Sequence, residues 1–291
     1  MLRSWREVSY YPTETVRSID AFARPLTSFI RTLSDRIGYP VVAKWRLEKL
    51  EHSAHLRQLF ELLQIDCVLD VGANVGQFNE FLRLHVGYTG HVVSFEPVTE
   101  VFERLCEQAR GDPSWTVHRL ALGEQAGDAE ITVMTERTLS SILPRNEESL
   151  RAMGYEKYLR ETEVARIETI PVRRLDAAFA EVVPGSARRV FLKSDTQGYD
   201  MCVVRGASGC LDKLPALQVE LPVREVYRGA PDYLQSLAEL NALGYEVTGL
   251  FPVQRDATLR VINLDAVLVR RDEIERLRER GRHAVGHAGR P

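Results

Sequence analysis

Short apolar segments alternate with helical patterns from Cys67 to Arg270, and few folds accommodate such a sequence. Segments apolar along their whole length are typical of strands in a parallel sheet whose two faces are covered by helices. The sequence therefore predicts an α/β fold with a mostly parallel sheet and helices on both faces. The predicted strands are CVLDV, HVVSFEP, WTVHRLAL, AEITVM, RVFLKSD, ALQVEL, YEVTGLF and LDAVLVR.

Three parts are expected along the chain. Helical patterns cover Glu14 to Ile37 and about Val42 to Leu63, which predicts an N-terminal helical appendage over residues 1–64. The α/β domain is predicted over residues 65–272, with a polar, irregular insertion of partly helical character at about 136–168. The charged tail, residues 273–291, is expected to be a solvated helix followed by disorder.

Bulk properties narrow the functional classes. A net charge of −3 gives no electrostatic reason to expect nucleic-acid binding, which normally needs a basic face. No segment approaches the roughly 20 apolar residues of a transmembrane helix, so we expect a soluble, cytoplasmic protein. The four cysteines form no C-x-x-C pair, and buried free thiols explain them best; they are Cys67, Cys106, Cys202 and Cys210.

A glycine turn follows the first predicted strand in the segment VLDVGANVGQF. Gly72 and Gly76 would let the backbone turn tightly and approach a ligand, with Asn74 between them. The dinucleotide fingerprint G-x-G-x-x-G is not met, because Asn74 and Gln77 occupy its second and third glycine positions. Asp70, directly before the turn, would also repel a pyrophosphate. The turn therefore favours a ligand that carries positive charge, such as S-adenosylmethionine.

Ligands of open α/β sheets lie beyond the carboxyl ends of the strands, so residues that end strands are the informative ones. Glu96 ends the second predicted strand, where an acidic side chain can accept hydrogen bonds from both ribose hydroxyls. The alternative interpretation is that Glu96 is a solvated turn residue before Pro97. The predicted strand-end residues are Asp70, Glu96, Leu122, Asp195 and Glu220.

From about Val68 to Arg270 the sequence resembles the FkbM family of S-adenosylmethionine-dependent methyltransferases. The resemblance rests on an ordered set of motifs that includes VLDVGANVGQF, SFEP, LALGE, TLSSILPRN, LKSDTQGYDMCVVRGA and VELPVREVYRGAPDY. It implies a Rossmann-like class I methyltransferase fold with a seven-stranded sheet and, usually, O-methylation of a sugar or natural product. The sequence departs from the resemblance at Gln197 and Asp200, where many relatives carry glutamate.

Asp195, at the end of FLKSD, is the candidate catalytic base. A base that takes the hydroxyl proton during attack on the sulfonium methyl contributes about 10²- to 10⁴-fold. Two alternatives remain open: Asp195 binds Mg²⁺ together with Glu220 or Asp200, or it caps the helix that begins near Tyr199. Lys193 is expected on the same face of the strand, where it would orient the carboxylate or a substrate oxygen.

Other site residues are predicted from loops. The resemblance suggests cofactor contacts for Ser141, in the segment TLSSI, and Leu122 is predicted to contact the cofactor from its strand end. Tyr227 and Arg228, in the segment YRGAPDY, are candidates for an acceptor pocket, because aromatic faces with polar tips suit carbohydrate rings.

These observations predict an O-methyltransferase that uses S-adenosylmethionine to methylate a hydroxyl of a sugar, glycoside, glycolipid or related natural product. Two alternatives stay open: a nicotinamide-dependent oxidoreductase acting on sugars, and a noncatalytic scaffold subunit with a methyltransferase fold. The expected partner is a small-molecule or saccharide acceptor, and the N-terminal helices allow a homodimer.

Overall fold

The computed structural model describes residues 47–155, 159, 162–256 and 258–287. The chain divides into two compact units, Met1–Glu51 and His52–Pro291. The helical pattern predicted at 14–37 lies outside the described residues. The division between the units falls earlier than residue 64, where the appendage was predicted to end. Leu56, Leu59, Phe60 and Leu63 are buried in a core cluster of the second unit.

The described secondary structure consists of eight α-helices and ten strands. The helices are α1 (Leu47–Leu63), α2 (Gln77–Phe81, continued by a π-helical turn at Leu82–Val86), α3 (Thr99–Ala109), α4 (Glu147–Ala152), α5 (Leu175–Val182), α6 (Asp200–Gly206), α7 (Tyr233–Ala242) and α8 (Arg271–His287). The strands are β1 (Cys67–Val71), β2 (His91–Phe95), β3 (Trp115–His118), β4 (Ala121–Leu122), β5 (Gly127–Met134), β6 (Val164–Arg173), β7 (Val190–Ser194), β8 (Ala216–Pro222), β9 (Tyr245–Arg255) and β10 (Val261–Arg270). Short 3₁₀ turns lie at Arg137–Leu139 and Ser208–Lys213.

The predicted mostly parallel sheet is confirmed. Its seven strands lie in the order β3-β2-β1-β7-β8-β10-β9. All neighbouring pairs from β3 to β8 are parallel, and β10 is antiparallel to both β8 and β9. The chain leaves β1 toward β2 on one side and later returns as β7 on the other side. The turns that follow β1 and β7 therefore lie next to each other, at the position where α/β sheets bind ligands.

A second, three-stranded sheet with the order β4-β6-β5 was not predicted. It corrects two expectations. The segment WTVHRLAL is not one strand, because β3 ends at His118 in the large sheet and β4 pairs with β6 in the small one. The insertion predicted at 136–168 is regular in its last residues, because β6 begins at Val164 and pairs with β5.

Burial on both faces explains the continuous apolar runs. Every residue of β1 is buried, and successive side chains enter different core clusters: Leu69 packs with Leu192 on one face, whereas Val68 packs with Phe191 on the other. Packing on each face buries apolar surface, and this burial stabilises the fold by about 25 cal/mol per Å². Both faces therefore stabilise the central strands and hold their carboxyl ends in fixed register.

The helix predicted in the tail is observed, because α8 extends from Arg271 to His287, but its first residues are packed and not solvated. The carboxylate of Glu273 is only 4% exposed and receives two hydrogen bonds from the guanidinium of Arg189, at 2.9 and 2.7 Å. Ile274 and Leu277 pack against a core cluster. A bidentate ion pair and apolar contacts therefore hold the start of a segment whose charge content suggested solvation alone.

All four cysteines are free thiols, as predicted, but only Cys67 and Cys210 are buried, while Cys106 and Cys202 are half-buried. Within the described residues, no helix has the length and apolar character needed to cross a membrane.

Candidate active site

The two glycines of the turn after β1 have left-handed backbone conformations, with φ of +75° at Gly72 and +95° at Gly76. A Cβ on Gly72 would overlap the backbone carbonyl oxygen of Asp195, and one on Gly76 would overlap the ring of Trp115. The predicted tight turn is therefore observed, and both the left-handed φ and the close approach of protein atoms require glycine there. The approach of these glycines to a ligand stays a prediction.

Glu96 joins the glycine turn to the end of β2. Its Oε2 accepts a hydrogen bond from the backbone N–H of Asn74 at 3.0 Å, and its Oε1 accepts one from the N–H of Val98 at 2.9 Å. The residue is 7% exposed, and burial, partly opposed by these two hydrogen bonds, raises the pKa of its carboxyl to about 7. A carboxylate accepts about four hydrogen bonds, so these two donors do not exhaust its capacity.

Asp70 is completely buried, and both of its carboxylate oxygens are engaged. Oδ1 pairs with Nζ of Lys193 at 2.9 Å, and Oδ2 accepts a hydrogen bond from Oγ of Ser94 at 3.2 Å. Ser94 in turn accepts a hydrogen bond from the indole of Trp115 at 2.9 Å. Because Lys193 compensates its charge, Asp70 does not select a cationic ligand by an unpaired charge, which was the basis of its prediction. It pairs with Lys193, and its role toward the cofactor stays a prediction.

Lys193 also faces Asp195, with 3.9 Å between Nζ and Oδ2. The side chain of Asp195 is 36% exposed, whereas that of Lys193 is 6% exposed. The predicted common orientation of the two residues is therefore observed. Of these charged side chains, that of Asp195 is the most exposed to solvent.

The helix-cap alternative for Asp195 is not what the structure shows. The loop before α6 is held by Asp200, whose carboxylate accepts hydrogen bonds from Oγ of Ser194 and from the backbone N–H groups of Thr196 and Gly198, at 2.8 to 3.2 Å. Burial raises the pKa of Asp200 to about 6, with a further contribution from the charge of Asp195. Asp200 therefore holds the loop before α6, and the Asp195 carboxylate makes none of these hydrogen bonds.

Gln197 lies between two of the predicted acids. Its Nε2 donates to Oδ1 of Asp195 at 3.0 Å and to Oε2 of Glu220 at 3.3 Å. Glu220 also accepts a hydrogen bond from the side chain of Asn263 at 2.8 Å. Burial, and then the charges of Asp195, Asp200 and Asp265, hold the pKa of the Glu220 carboxyl well above its usual range.

The predicted Mg²⁺ site receives no support from this arrangement. Asp195 and Glu220 both face an amide N–H₂ group, which is a donor and not a metal ligand. In the part of the chain that the structure describes, no group of three or more histidine, cysteine, aspartate or glutamate side chains is arranged to hold a metal ion. No step of the chemistry is therefore assigned to a metal.

The loop residues occupy different places. Ser141 is buried, and its hydroxyl donates to the carbonyl oxygen of Gln197 at 2.8 Å and accepts from the N–H of Leu143. The hydroxyl of Tyr227 lies 3.0 Å from Oε1 of Gln197. Both side chains thus contact the loop after β7. Their cofactor and acceptor roles stay predictions.

Two further predicted residues lie away from this group of contacts. Arg228 is exposed, and its backbone N–H bonds to the carbonyl oxygen of Pro144. Leu122 ends β4 in the small sheet, and its side chain is buried in the core. It therefore does not end a strand of the large sheet, as the predicted single strand implied, although a backbone role toward the cofactor stays a prediction.

Sequence reasoning missed Ser94, Trp115 and Asn263 as partners of the acids. Ser94 lies directly opposite Asp70 in the parallel register of β1 and β2. Alternation along SFEP could have placed its hydroxyl on the same face. Nothing local in the sequence indicates that Trp115 and Asn263 reach the same edge.

Comparison with known proteins gives the family of the chain. A model of the family described as "Methyltransferase FkbM domain" matches residues 70–247. Together with the fold, this gives the chain a Rossmann-like methyltransferase domain. The chain belongs to the FkbM methyltransferase family.

A curated relative is the 31-O-demethyl-FK506 methyltransferase FkbM of Streptomyces tacrolimicus, which is 38% identical over 89 residues. The match covers 30% of this chain and about a third of that relative, 34% of its length. Among solved structures, fibrillarin of Aeropyrum pernix with bound S-adenosyl-L-methionine has a TM-score of 0.40 and 12% identity over 75% of this chain and 73% of that chain. Magnesium protoporphyrin IX methyltransferase of Synechocystis PCC 6803 has a TM-score of 0.40 and 9% identity over 92% of this chain and 100% of that chain.

Proposed function

We propose that the protein transfers the methyl group of S-adenosylmethionine to a hydroxyl oxygen of a sugar, glycoside, glycolipid or related natural product, with Asp195 as the base. The observation that carries the proposal is the half-exposed Asp195 carboxylate, set beside buried Lys193 at the edge of the sheet where the glycine turn lies. The name of the Streptomyces relative, a 31-O-demethyl-FK506 methyltransferase, supports a hydroxyl of a natural product as the acceptor class.

In this proposal the glycine turn and Glu96 hold the nucleoside part of the donor. Gly72 and Gly76 let the backbone approach the ligand, and Asn74 fixes the turn through its N–H bond to Glu96. The free acceptor positions of Glu96 receive the two ribose hydroxyls. The buried Asp70–Lys193 ion pair joins the ends of β1 and β7, and Ser141 holds the loop after β7 through its hydrogen bond to Gln197.

The bound donor supplies an electrophilic methyl group on a positively charged sulfur. Asp195 accepts the acceptor's hydroxyl proton as the oxygen attacks, so that positive charge does not accumulate on the oxygen. Lys193, whose Nζ lies 3.9 Å from Oδ2 of Asp195, orients the carboxylate. Holding the two reactants in line supplies much of the remaining rate enhancement.

The test is methyl transfer to a panel of glycosides and polyketide alcohols, followed by mass spectrometry. We expect one acceptor class to gain the mass of one methylene group, and we expect alkaline treatment to leave the product intact, as an ether and not an ester. A panel and source-cell extract without any methylated product, in protein that binds S-adenosylhomocysteine, would instead support the noncatalytic scaffold. Binding of a nicotinamide dinucleotide in place of S-adenosylhomocysteine would support the oxidoreductase alternative.

Glu96 predicts a pH dependence of cofactor binding. Because its folded-state pKa, about 7, lies above its ordinary value, the protonated carboxyl stabilises the fold at low pH, and this contribution is lost as pH rises through about 7. Ribose hydroxyls, as donors, favour the ionised form. We therefore expect the Kd of S-adenosylhomocysteine to fall as pH rises from about 6 to about 8, by up to about tenfold per unit below the pKa.

Isothermal titration calorimetry across this range measures the effect, and Glu96→Gln is the matched control. The amide keeps the size of the side chain and does not ionise, so its weaker binding should be independent of pH in this window. The same pH dependence in both proteins would remove Glu96 from the donor site.

A further inference from the structure

Four parts of the site meet at Gln197. Its side chain contacts Asp195 at the end of β7 and Glu220 in β8, and its Oε1 contacts the hydroxyl of Tyr227 in the loop after β8. Its backbone oxygen accepts the hydrogen bond from Ser141. The residue has a left-handed φ of +55°, which is uncommon outside glycine, asparagine and aspartate. The fold thus maintains a strained backbone conformation at the point where these contacts converge.

The orientation of the Gln197 amide follows from its neighbours. The N–H₂ end faces Oδ1 of Asp195 and Oε2 of Glu220, at 3.0 and 3.3 Å, and both oxygens can accept its hydrogen bonds. The carbonyl end faces the hydroxyl of Tyr227, whose one proton is shared between Oε1 of Gln197 and the carbonyl oxygen of Leu139, both at 3.0 Å. A carboxylate at position 197 would place a third negative group where the amide now donates.

We propose that Gln197 positions the catalytic base: its amide ties Oδ1 of Asp195 to Glu220 and so leaves Oδ2, beside Lys193, to take the proton of the acceptor hydroxyl. This inference rests on the proposed function and assigns a positioning residue within it. Gln197 acts through Asp195 and not by contact with the methyl donor.

The charged groups around Asp195 set the direction of the expected effects. Lys193 faces it from β7, whereas the carboxylates of Asp200, Glu220 and Asp265 face it from α6, β8 and β10. The surroundings therefore hold more acidic than basic groups, and the donor amide of Gln197 is one of few groups that stabilise negative charge on Asp195. Its removal should make Asp195 harder to ionise, and replacement by a carboxylate should do so more strongly.

The experiment is a carbon-13 NMR titration of the full-length protein with labelled aspartate carboxyls and bound S-adenosylhomocysteine, in which Asp195→Asn assigns the Asp195 signal. We expect the midpoint of the Asp195 titration to rise by about one pH unit in Gln197→Glu and by less in Gln197→Met. The control Gln108→Glu makes the same charge change on an exposed position of α3 and should leave the midpoint unchanged. With an acceptor from the panel, the pH profile of kcat should shift by the same amount, while the KM for S-adenosylmethionine stays constant.

A midpoint that stays at the wild-type position in both Gln197 variants overturns the proposal. If Gln197→Glu fails to fold, Gln197→Met decides, because methionine keeps the length of the side chain and adds no charge. Loss of folding in both variants would mean that Gln197 is purely structural and would also overturn the proposal. The titration uses no acceptor, so its result does not depend on the proposed function. If the Asp195 midpoint shifts as expected in a protein that methylates no hydroxyl, the proposed function is refuted and the Gln197–Asp195 contact stands.

Discussion

Replacement of Asp195 by asparagine lowers kcat for methyl transfer by about 10²- to 10⁴-fold, the range that a general base contributes. The physical reason is that an amide has no capacity to take the hydroxyl proton, while its size and shape match those of the carboxylate. Binding of S-adenosylhomocysteine should be little changed, because the Asp195 side chain points to the acceptor side of the edge in the proposed mechanism. Kinetics with the acceptor from the panel, together with calorimetry of the cofactor product, measure both quantities.

Asp212→Asn is the matched control for this substitution, because it removes an exposed carboxylate from the 3₁₀ turn at Ser208–Lys213. It should leave kcat unchanged. A kcat near the wild-type value in Asp195→Asn would exclude Asp195 as the base. A loss of cofactor affinity as large as the loss of rate would place Asp195 in donor binding.

The second large effect is expected at Gly72. In Gly72→Ala the new Cβ overlaps the carbonyl oxygen of Asp195, and the residue keeps a left-handed φ of +75°. Relief of this overlap must move the backbone of β7's end away from the turn. We therefore expect loss of cofactor binding together with a lower free energy of unfolding.

Gly87→Ala separates the two causes. Gly87 has a similar φ of +77°, but a Cβ there meets nothing within 4 Å. The control carries only the left-handed cost of about 1 to 2 kcal/mol, and Gly72→Ala should exceed it by a further 1 to 3 kcal/mol or so from the steric overlap. Urea unfolding of both variants measures the difference. Equal losses in the two proteins would mean that the turn does not depend on close approach to Asp195.

The sequence predicted the central sheet because its signal is local. CVLDV and RVFLKSD are apolar along their length, and burial on both faces of β1 and β7 is what such runs require. The small sheet escaped prediction because its formation depends on pairing β4 with β6, which lie far apart in the chain. No local pattern separates β3 from β4 within WTVHRLAL.

The candidate site was predicted in part for the same reason. The carboxyl ends of parallel strands lie at one edge of the sheet. The alternation of strands and helices therefore places four acids at that edge: Asp70, Glu96, Asp195 and Glu220. The pairing of Asp70 with Lys193 depends on the register between β1 and β7, where these two residues are direct neighbours. Register is set by the whole sheet, so the charge of Asp70 appeared free in the sequence although it is compensated in the fold.

A crystal structure of the protein with bound S-adenosylhomocysteine tests the central claim most directly. We predict that the ribose hydroxyls donate to Glu96 and that the adenosyl part lies along the turn from Gly72 to Gly76. We also predict that the sulfur faces the exposed carboxylate of Asp195. A nucleoside bound away from Glu96, or a sulfur turned from Asp195 with protein filling the space between them, would contradict it.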